Sequence, residues 1–307
     1  MTKGCLIFAH NGTLDYGSQA VVAAELAIKH LGVPVSLVAD TATIQSVKEQ
    51  FEKLPFDQII EIAKPTTTNT RQLTDHAAVA YNMLSTKLGL PKNLVTVKPT
   101  KETIEFNNDS RVLAYELTPY DRTLVIDTDF LIFSDTLNKY WDLPQDFLIS
   151  PGMLDLQEHT ISPTGYEVNP FTIKMLWATT IMFSKTEETR VFFNLLQHIK
   201  DEYPYYANLY DFEPSQYRND FAFSIACHII GGHGVEKWHG ELPVPLLLTD
   251  ADTILEIKDD GQINFLLGDT ARPGDFLIAR SRNQDIHLMN KRDILTHINK
   301  LRELASA

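Results

Sequence analysis

Two aspartates separated by one threonine, Asp127 and Asp129, directly follow an apolar run at residues 123–126. Alternate residues of an extended segment face the same side, so the two carboxylates are expected to point together. Ligands of open α/β sheets bind beyond the carboxyl ends of the strands, and paired carboxylates there suit a hard divalent ion that holds a diphosphate. Acids at a strand end can also cap turns, which is the role we expect for a second match, Asp250 and Asp252.

The elements that would position the aspartates begin with a predicted β-α-β unit. A continuous apolar run at residues 5–9 predicts a buried parallel strand, and Val35–Ala39 predicts a second one. Between them a polar loop leads to a helix that Ser18 could cap and that Gly32 would end. Asp40 follows the second strand, where we expect a surface turn.

The rest of the chain alternates strands and helices at first and then becomes more mixed, which favours an α/β sandwich. Residues 184–187 match a capping box before a helix, and Asn219 or Asp220 could begin the next helix. Residues 64–71, with three successive threonines, predict a loop. Further helices are predicted at 46–54, 74–88, 111–117, 136–140 and 294–301, and further strands at 147–150 and 174–183.

Charge and composition exclude several classes of protein. The 307 residues carry 27 basic and 40 acidic side chains, a net charge of -13, with 44% hydrophobic and 22% charged residues. These values exclude a mostly disordered chain, and the acidic balance disfavours a general nucleic-acid binder. Two cysteines form no disulfide framework. No apolar run approaches the roughly 20 residues of a membrane span, and the first run is too short for a secretory leader. We therefore expect a cytoplasmic protein.

The stretch from Arg111 to Asp129, RVLAYELTPYDRTLVIDTD, resembles the GT-A nucleotide-sugar glycosyltransferases. It most resembles the glycogenin-like and lipopolysaccharide galactosyltransferase group, glycosyltransferase family 8, in which a helix with a basic residue precedes an apolar strand and a metal-binding Asp-x-Asp motif. The resemblance implies a Rossmann-like α/β/α sandwich with a mixed central sheet. It also implies a UDP-sugar donor and Mn²⁺ (or Mg²⁺) held by Asp127 and Asp129, with Arg111 near the donor.

The first loop also resembles that family, in which an acidic residue and a tyrosine embrace the uridine. Asp15 and Tyr16 match these two residues. His10 and Asn11 in the same loop, and Thr128 between the two aspartates, are the other donor contacts that the resemblance implies.

Two later stretches resemble the metal-binding and acceptor-binding parts of the family. His287 matches a late histidine that is a third metal ligand, and Lys291 matches a lysine on the diphosphate, although the spacing here is His-x3-Lys. Asp220 matches an acidic residue near the acceptor. It would deprotonate the acceptor if transfer inverts the anomeric centre, and it would orient the acceptor if transfer retains it, as the resemblance implies. The preceding strand lacks the family's Asn-x-Gly.

With no Gly/Ser linker in the sequence, the resemblance implies a single GT-A domain over residues 1–307. Residues 1–135 would form the nucleotide-sugar-binding half, and residues 136–307 the acceptor-binding half with a C-terminal helix. The acceptor stays open among glycans, lipid-linked sugars, proteins and small metabolites. A modified DNA base is disfavoured by the net charge. The sequence does not indicate the oligomeric state.

Alternative functions differ in the first loop. A dinucleotide-dependent oxidoreductase needs a Gly-x-Gly-x-x-Gly turn, and the loop offers only Gly12 and Gly17. A nucleotidyltransferase usually begins with a basic, glycine-rich loop, but no Lys or Arg lies between Lys3 and Lys29. A nucleotidyltransferase and a non-catalytic scaffold that binds a nucleotide or sugar both stay open beside the glycosyltransferase.

Overall fold

The computed structural model describes residues 1–64, 67–73, 100–106, 109–155, 160–161, 173–212, 217–233, 238–268 and 276–306. The helix predicted at 74–88 lies outside these residues. The strands, in chain order, are β1 (Lys3–Ala9), β2 (Val35–Ala39), β3 (Gln58–Glu61), β4 (Thr67–Leu73), β5 (Thr100–Phe106), β6 (Arg122–Ile126), β7 (Phe130–Leu131), β8 (Phe147–Ser150), β9 (Met153–Asp155), β10 (Thr160–Ile161), β11 (Trp177–Ser184), β12 (Gly240–Glu241), β13 (Leu246–Leu248), β14 (Thr253–Ile257), β15 (Ile263–Gly268), β16 (Phe276–Ser281) and β17 (Ile286–Leu288).

The α-helices of the described residues are α1 (Tyr16–Leu31), α2 (Thr41–Gln50), α3 (Ala114–Leu117), α4 (Glu187–Asp201), α5 (Tyr203–Leu209), α6 (Asn219–Ile230), α7 (Lys291–Thr296) and α8 (Ile298–Ser306). Two short 3₁₀ helices, Ser110–Leu113 and Thr136–Tyr140, complete them. No helix in the described parts of the chain is long and apolar enough to cross a membrane.

The central sheet has seven strands in the order β12-β8-β11-β6-β1-β2-β3. Strands β1, β2, β3 and β6 are parallel, whereas β11 runs antiparallel between β6 and β8. The predicted α/β class with a mixed central sheet is therefore confirmed. Strands from both predicted halves of the chain pair within this one sheet.

Helices cover both faces of the central sheet. Strand side chains alternate between the two faces, and the apolar ones on each face pack against a layer of helices. Along β1, Leu6 and Phe8 pack toward α4 and α6. Cys5, Ile7 and Ala9 pack on the other face against alanines of α1. The small side chains of α1 let the helix lie close to the strands that end at the predicted site.

A second sheet, in the order β10-β9-β13-β17-β7, begins just after the aspartate pair. Strand β7 follows Asp129 directly, so the turn at residues 127–129 joins the central sheet to the second one. A separate apolar cluster packs this sheet against α1, α7 and α8. This arrangement allows residues near the C-terminus to reach the predicted metal site.

The ends of the early helices depend on aspartate caps, not on the predicted residues. Asp15 caps α1 by accepting a 3.0 Å hydrogen bond from the Ser18 backbone N–H, so the helix begins before Ser18. Gly32 ends it with φ 66°, as predicted. Helix α2 begins at Thr41 instead of residue 46 because Asp40 caps it, and Asp40 is buried instead of lying in a surface turn.

Three other local predictions are corrected. The loop predicted at 64–71 is wrong over residues 67–71, because Thr67, Thr68 and Thr70 lie in β4, which pairs with β5, and β-branched residues favour strands. The capping box joins Thr186 and Thr189 instead of residues 184–187. The C-terminal helix is two helices, α7 and α8. The predicted turn role of Asp252 is confirmed, because its carboxylate accepts a 2.6 Å hydrogen bond from the Thr249 N–H.

Candidate metal and donor site

Asp127, Asp129 and His287 come together at the carboxyl end of β6. One ligand atom from each lies within 4.8 Å of the others. Strand β17 pairs antiparallel with β7, which places His287 opposite Phe130, and the Leu288 N–H donates a 2.9 Å hydrogen bond to the Asp129 carbonyl. The pairing of two short strands therefore brings the late histidine to the aspartate pair.

Asp129 is the most buried of the three candidate ligands, with 3% of its surface exposed. Its Oδ2 lies 2.7 Å from Lys291 Nζ and 3.3 Å from His287 Nε2. Burial alone would raise the pKa of Asp129, but the Lys291 ammonium and the His287 ring hold it far below the ordinary value. In turn, the Asp129 carboxylate raises the pKa of Lys291. Asp129 is therefore ionised, as a metal ligand must be.

Asp127 is held by a buried guanidinium. Arg111 donates hydrogen bonds to Asp127 Oδ1 and to the Ala178 carbonyl of β11. Burial lowers the pKa of Arg111 to about 10, so the group stays cationic at neutral pH. The Asp127 N–H also donates a 3.1 Å hydrogen bond to the Thr179 carbonyl. Arg111 thus lies beside the candidate metal site and fixes the direction of Asp127.

Replacing Arg111 should reveal this ion pair in the stability of the protein. Arg111→Met leaves the partly buried Asp127 carboxylate without its cation, so we expect the free energy of unfolding to fall by about 3 kcal/mol. Adding Asp127→Asn should recover part of that loss, because it removes the stranded charge. Urea denaturation of both variants and the double variant measures the coupling. A double variant less stable than Arg111→Met would contradict this assignment.

His287 has the surroundings of a metal ligand. Its ring is buried, and Trp177 meets it edge-on at 5.9 Å between ring centroids. Nδ1 is buried and has no hydrogen-bond partner among the described residues, which is unfavourable for a polar atom. One imidazole nitrogen and two carboxylates form a donor set that suits a divalent ion such as Mn²⁺. The residues present therefore fit the metal that the sequence predicts.

The start of α1 lies against this cluster. Tyr16 is half-buried, which raises its pKa, and Lys291 and Asp129 are both near enough to influence it. Thr128 is buried, and its hydroxyl donates a 3.4 Å hydrogen bond to Gln19 Oε1. The structure thus brings Tyr16, Thr128 and Lys291 together with the metal cluster.

Asp15 and Asn11 build the first loop. The Asp15 carboxylate accepts hydrogen bonds from the Ser18 hydroxyl at 2.6 Å and from Gln50 Nε2 at 2.9 Å. Burial would raise its pKa, but these bonds lower it. Asn11 Oδ1 accepts a 2.8 Å bond from the Gly17 N–H. Both side chains are therefore engaged in shaping the loop that precedes α1.

His10, at the end of β1, joins a buried polar chain. Its Nδ1 lies 3.1 Å from Asp40 Oδ2, and its Nε2 lies 3.2 Å from Ser110 Oγ. Burial lowers the pKa of His10, while Asp40 acts in the opposite direction. The ring is thus fixed at both nitrogens beside the first loop.

This burial predicts a pH-dependent stability. The lowered pKa means that the unfolded state binds the His10 proton more readily, so the neutral ring stabilises the fold above pH 6.5. That contribution is lost as the pH falls through the lower pKa of the folded state. His10→Gln should flatten the pH dependence of the unfolding free energy between about pH 5 and 7. Denaturation at several pH values tests this, with His198→Gln at an exposed histidine as control. An unchanged slope in His10→Gln would count against it.

Asp220 lies in the first turn of α6. It shares one hydrogen-bond partner, Ala178 of β11, with Arg111 beside the metal cluster. Its Oδ1 accepts a 2.8 Å hydrogen bond from the Ala178 N–H, and its Oδ2 lies 3.1 Å from Arg218 Nη2. The Ala178 carbonyl binds Arg111. The Asp220 carboxylate is therefore held at both oxygens.

Sequence reasoning did not assign Gln19, Asp40 or Trp177 to the site. Gln19 is a fully buried polar residue on the apolar face of α1, a signal that could have been used. Asp40 ends the strand beside β1, which is a second usable signal. Trp177 gave none, because its contact with His287 depends on how two distant strands pack.

The sequence matches no protein-family model and no curated protein sequence. Similar solved structures include the galactosyltransferase LgtC in complex with donor and acceptor sugar analogs, at 13% identity and a TM-score of 0.42, covering 73% of this chain and 69% of that chain. Mouse xyloside xylosyltransferase 1 is 12% identical, with a TM-score of 0.43 and coverage of 80% and 86%. The glycosyltransferase GlyE of Streptococcus pneumoniae is 10% identical, with a TM-score of 0.39, and this chain covers 45% of it. All three are glycosyltransferases, the class that the sequence resembles.

Proposed function

We propose that the protein is a metal-dependent glycosyltransferase that transfers a sugar from a nucleotide-sugar donor, UDP-linked, to a hydroxyl acceptor. The observation that carries the proposal is the convergence of Asp127, Asp129 and His287 at the carboxyl end of β6. Lys291 adjoins the same cluster. A lysine beside a divalent-ion site adds positive charge that can neutralise a diphosphate, so the arrangement suits a diphosphate ligand.

The three converging side chains would hold a divalent ion, Mn²⁺ or Mg²⁺. When bound, such an ion acts as a Lewis acid on the diphosphate leaving group. Arg111 keeps Asp127 directed into the site, and its burial makes it a positioning residue. Lys291 has a side chain that is 28% exposed, so its ammonium can turn from Asp129 to a phosphate and stabilise the charge of the departing UDP.

The nucleoside would lie against the start of α1. Tyr16 lies near Lys291 and Asp129 and would offer an aromatic face to the base. His10 and Asn11, in the loop before α1, and Thr128, between the two aspartates, would supply further donor contacts. Asp15 would act through the loop it shapes, because its carboxylate is already engaged. On this proposal residues 1–135 supply most donor contacts, and residues 136–307 supply the acceptor side while returning His287 and Lys291 to the donor.

Asp220 would serve the acceptor side of the site. Because both of its oxygens are engaged, by Ala178 and Arg218, we assign it to orienting the acceptor and stabilising positive charge at the sugar carbon. This role suits a retaining transfer better than a general base does. The anomeric configuration of the product, read by NMR, tests the assignment. An inverted product would reassign Asp220 as the base.

The proposal is tested by the products formed from a panel of UDP-, GDP- and ADP-hexoses with Mn²⁺. Transfer releases a nucleoside diphosphate and joins the sugar to the acceptor. Slow hydrolysis, when no acceptor is present, releases the nucleoside diphosphate and the free sugar. Release of UDP that stops when EDTA removes the metal supports the proposal. Formation of a sugar phosphate with a nucleoside monophosphate would overturn it, because a bond within the diphosphate would then be the one that breaks. No turnover of any donor would favour a binding scaffold.

A further inference from the structure

His287 is carried by the short strand β17, which pairs with β13 over three residues and, more briefly, with β7 on its other side. The contact between β17 and β7 comprises two residue pairs, His287 with Phe130 and Ile286 with Leu131. Short pairings at a strand end open easily, yet a metal ligand must lie within a few tenths of an ångström of its bonding distance. The short contact with β7, the strand that follows Asp129, is therefore the place where a further contact would help to hold His287 near Asp129.

Asp285 lies at the point where the pairing ends. Its Oδ1 accepts two backbone hydrogen bonds, from Phe133 at 2.9 Å and from Ser134 at 3.0 Å, both in the segment that follows β7. Its carbonyl accepts a 3.3 Å bond from the Leu246 N–H at the start of β13. One residue thus ties the histidine strand to both of its neighbours in the second sheet.

The position of this carboxylate is unfavourable in itself. It is half-buried, no ion pair to it is present among the described residues, and burying an unpaired carboxylate is costly. The two N–H bonds that it accepts explain what it does there. Both bonds act on the segment that continues from Asp129 through β7.

We propose that Asp285 is a positioning residue for the metal ligand His287, and that its carboxylate clamps β17 onto the strand that follows Asp129. This inference rests on the metal site of the proposed function. It assigns Asp285 no contact with metal or donor, and it predicts that metal binding depends on a hydrogen-bond acceptor at this position and not on the charge.

The test uses Mn²⁺ alone as the probe, with the full chain. Calorimetry gives the affinity, and pulsed electron paramagnetic resonance detects an imidazole nitrogen bound to Mn²⁺. In the wild type that nitrogen signal should be present, and His287→Ala should remove it. A wild type without Mn²⁺ binding, or without the nitrogen signal, overturns the metal site and this inference with it.

With the wild-type signal established, Asp285→Ala should weaken Mn²⁺ binding about tenfold, as loss of supporting hydrogen bonds does, and reduce the nitrogen signal. Asp285→Asn should restore both, because its amide oxygen accepts the same two N–H groups. Asp252→Ala is the matched control, since it deletes a buried carboxylate that bonds backbone N–H groups in a neighbouring turn.

Wild-type affinity and nitrogen signal in Asp285→Ala would overturn the inference while leaving the metal site in place. An equal loss in Asp252→Ala would also overturn it, because the effect would then follow from general destabilisation. If Asp285→Ala does not fold, Asp285→Glu keeps the charge but displaces the acceptor by one methylene. It should then weaken Mn²⁺ binding, and wild-type binding by that variant would overturn the clamp.

Discussion

Replacing Asp129 by Asn should lower metal-dependent sugar transfer by roughly a thousandfold or more, since a bound metal contributes several kcal/mol to a transition state of this kind. The amide keeps the shape of the side chain but removes the charge that binds the ion. Asp127→Asn should have a similar effect. Lys291 can turn to solvent in the Asp129 variant, so we expect both proteins to stay folded. Release of UDP from a donor panel, with circular dichroism to check the fold, measures the loss.

The second Asp-x-Asp match supplies a control within the same chain. Asp252 is also buried and also bonds backbone N–H groups, those of Thr249 and Gly268, but its carboxylate is not part of the cluster of Asp127, Asp129 and His287. Asp252→Asn should keep activity near the wild-type level. Wild-type turnover in both Asp127→Asn and Asp129→Asn would contradict the assignment of these residues as metal ligands.

Lys291→Met should change metal binding and nucleotide binding in opposite directions. In the structure the Lys291 ammonium lies 2.7 Å from Asp129 Oδ2, so an incoming ion must displace it. Removing the lysine should tighten binding of Mn²⁺ alone by about tenfold, the scale of one hydrogen bond to a charged group. It should weaken UDP binding in the presence of Mn²⁺ and slow transfer by roughly a hundredfold or more, because the leaving group loses a cation.

Calorimetry with Mn²⁺ alone, and with UDP at saturating Mn²⁺, separates the two effects. Lys300→Met is the matched control, since Lys300 forms a 2.5 Å ion pair with Asp259 on the surface of α8. Its removal should leave both affinities unchanged. Weaker binding of Mn²⁺ alone by Lys291→Met would mean that the lysine supports the ion instead of competing with it.

The sequence predicts best those features that depend on neighbouring residues. The apolar run before Asp127 predicts strand β6, and the position of the pair at its end predicts the metal carboxylates. The starts of α1 and α2 are predicted less accurately. Several side chains near each start can accept hydrogen bonds from the first free backbone N–H groups, and the sequence does not show which one does. Asp15 and Asp40 took that role.

Long-range features depend on strand pairing that no local pattern encodes. His287 was indicated by resemblance, but its contact with Asp129 follows from the register of β17 on β7. Arg111 is indicated by resemblance, but its burial and its bonds to Asp127 and to the Ala178 carbonyl of β11 depend on how β6 and β11 pair. Trp177 and Asp285 entered only with the structure, because each acts on a residue far away in the chain.

Thermal unfolding with Mn²⁺, with UDP and with both, on wild type and Asp129→Asn, is the sharpest test of a metal-dependent donor site in this protein. A ligand that binds only the folded state adds about 2.7 kcal/mol of apparent stability at a hundred times its dissociation constant. A metal site that holds a nucleotide diphosphate predicts a large rise in wild-type melting temperature that needs both ligands and disappears in the variant. A wild type that UDP does not stabilise in the presence of Mn²⁺, or a variant that responds equally, would contradict it.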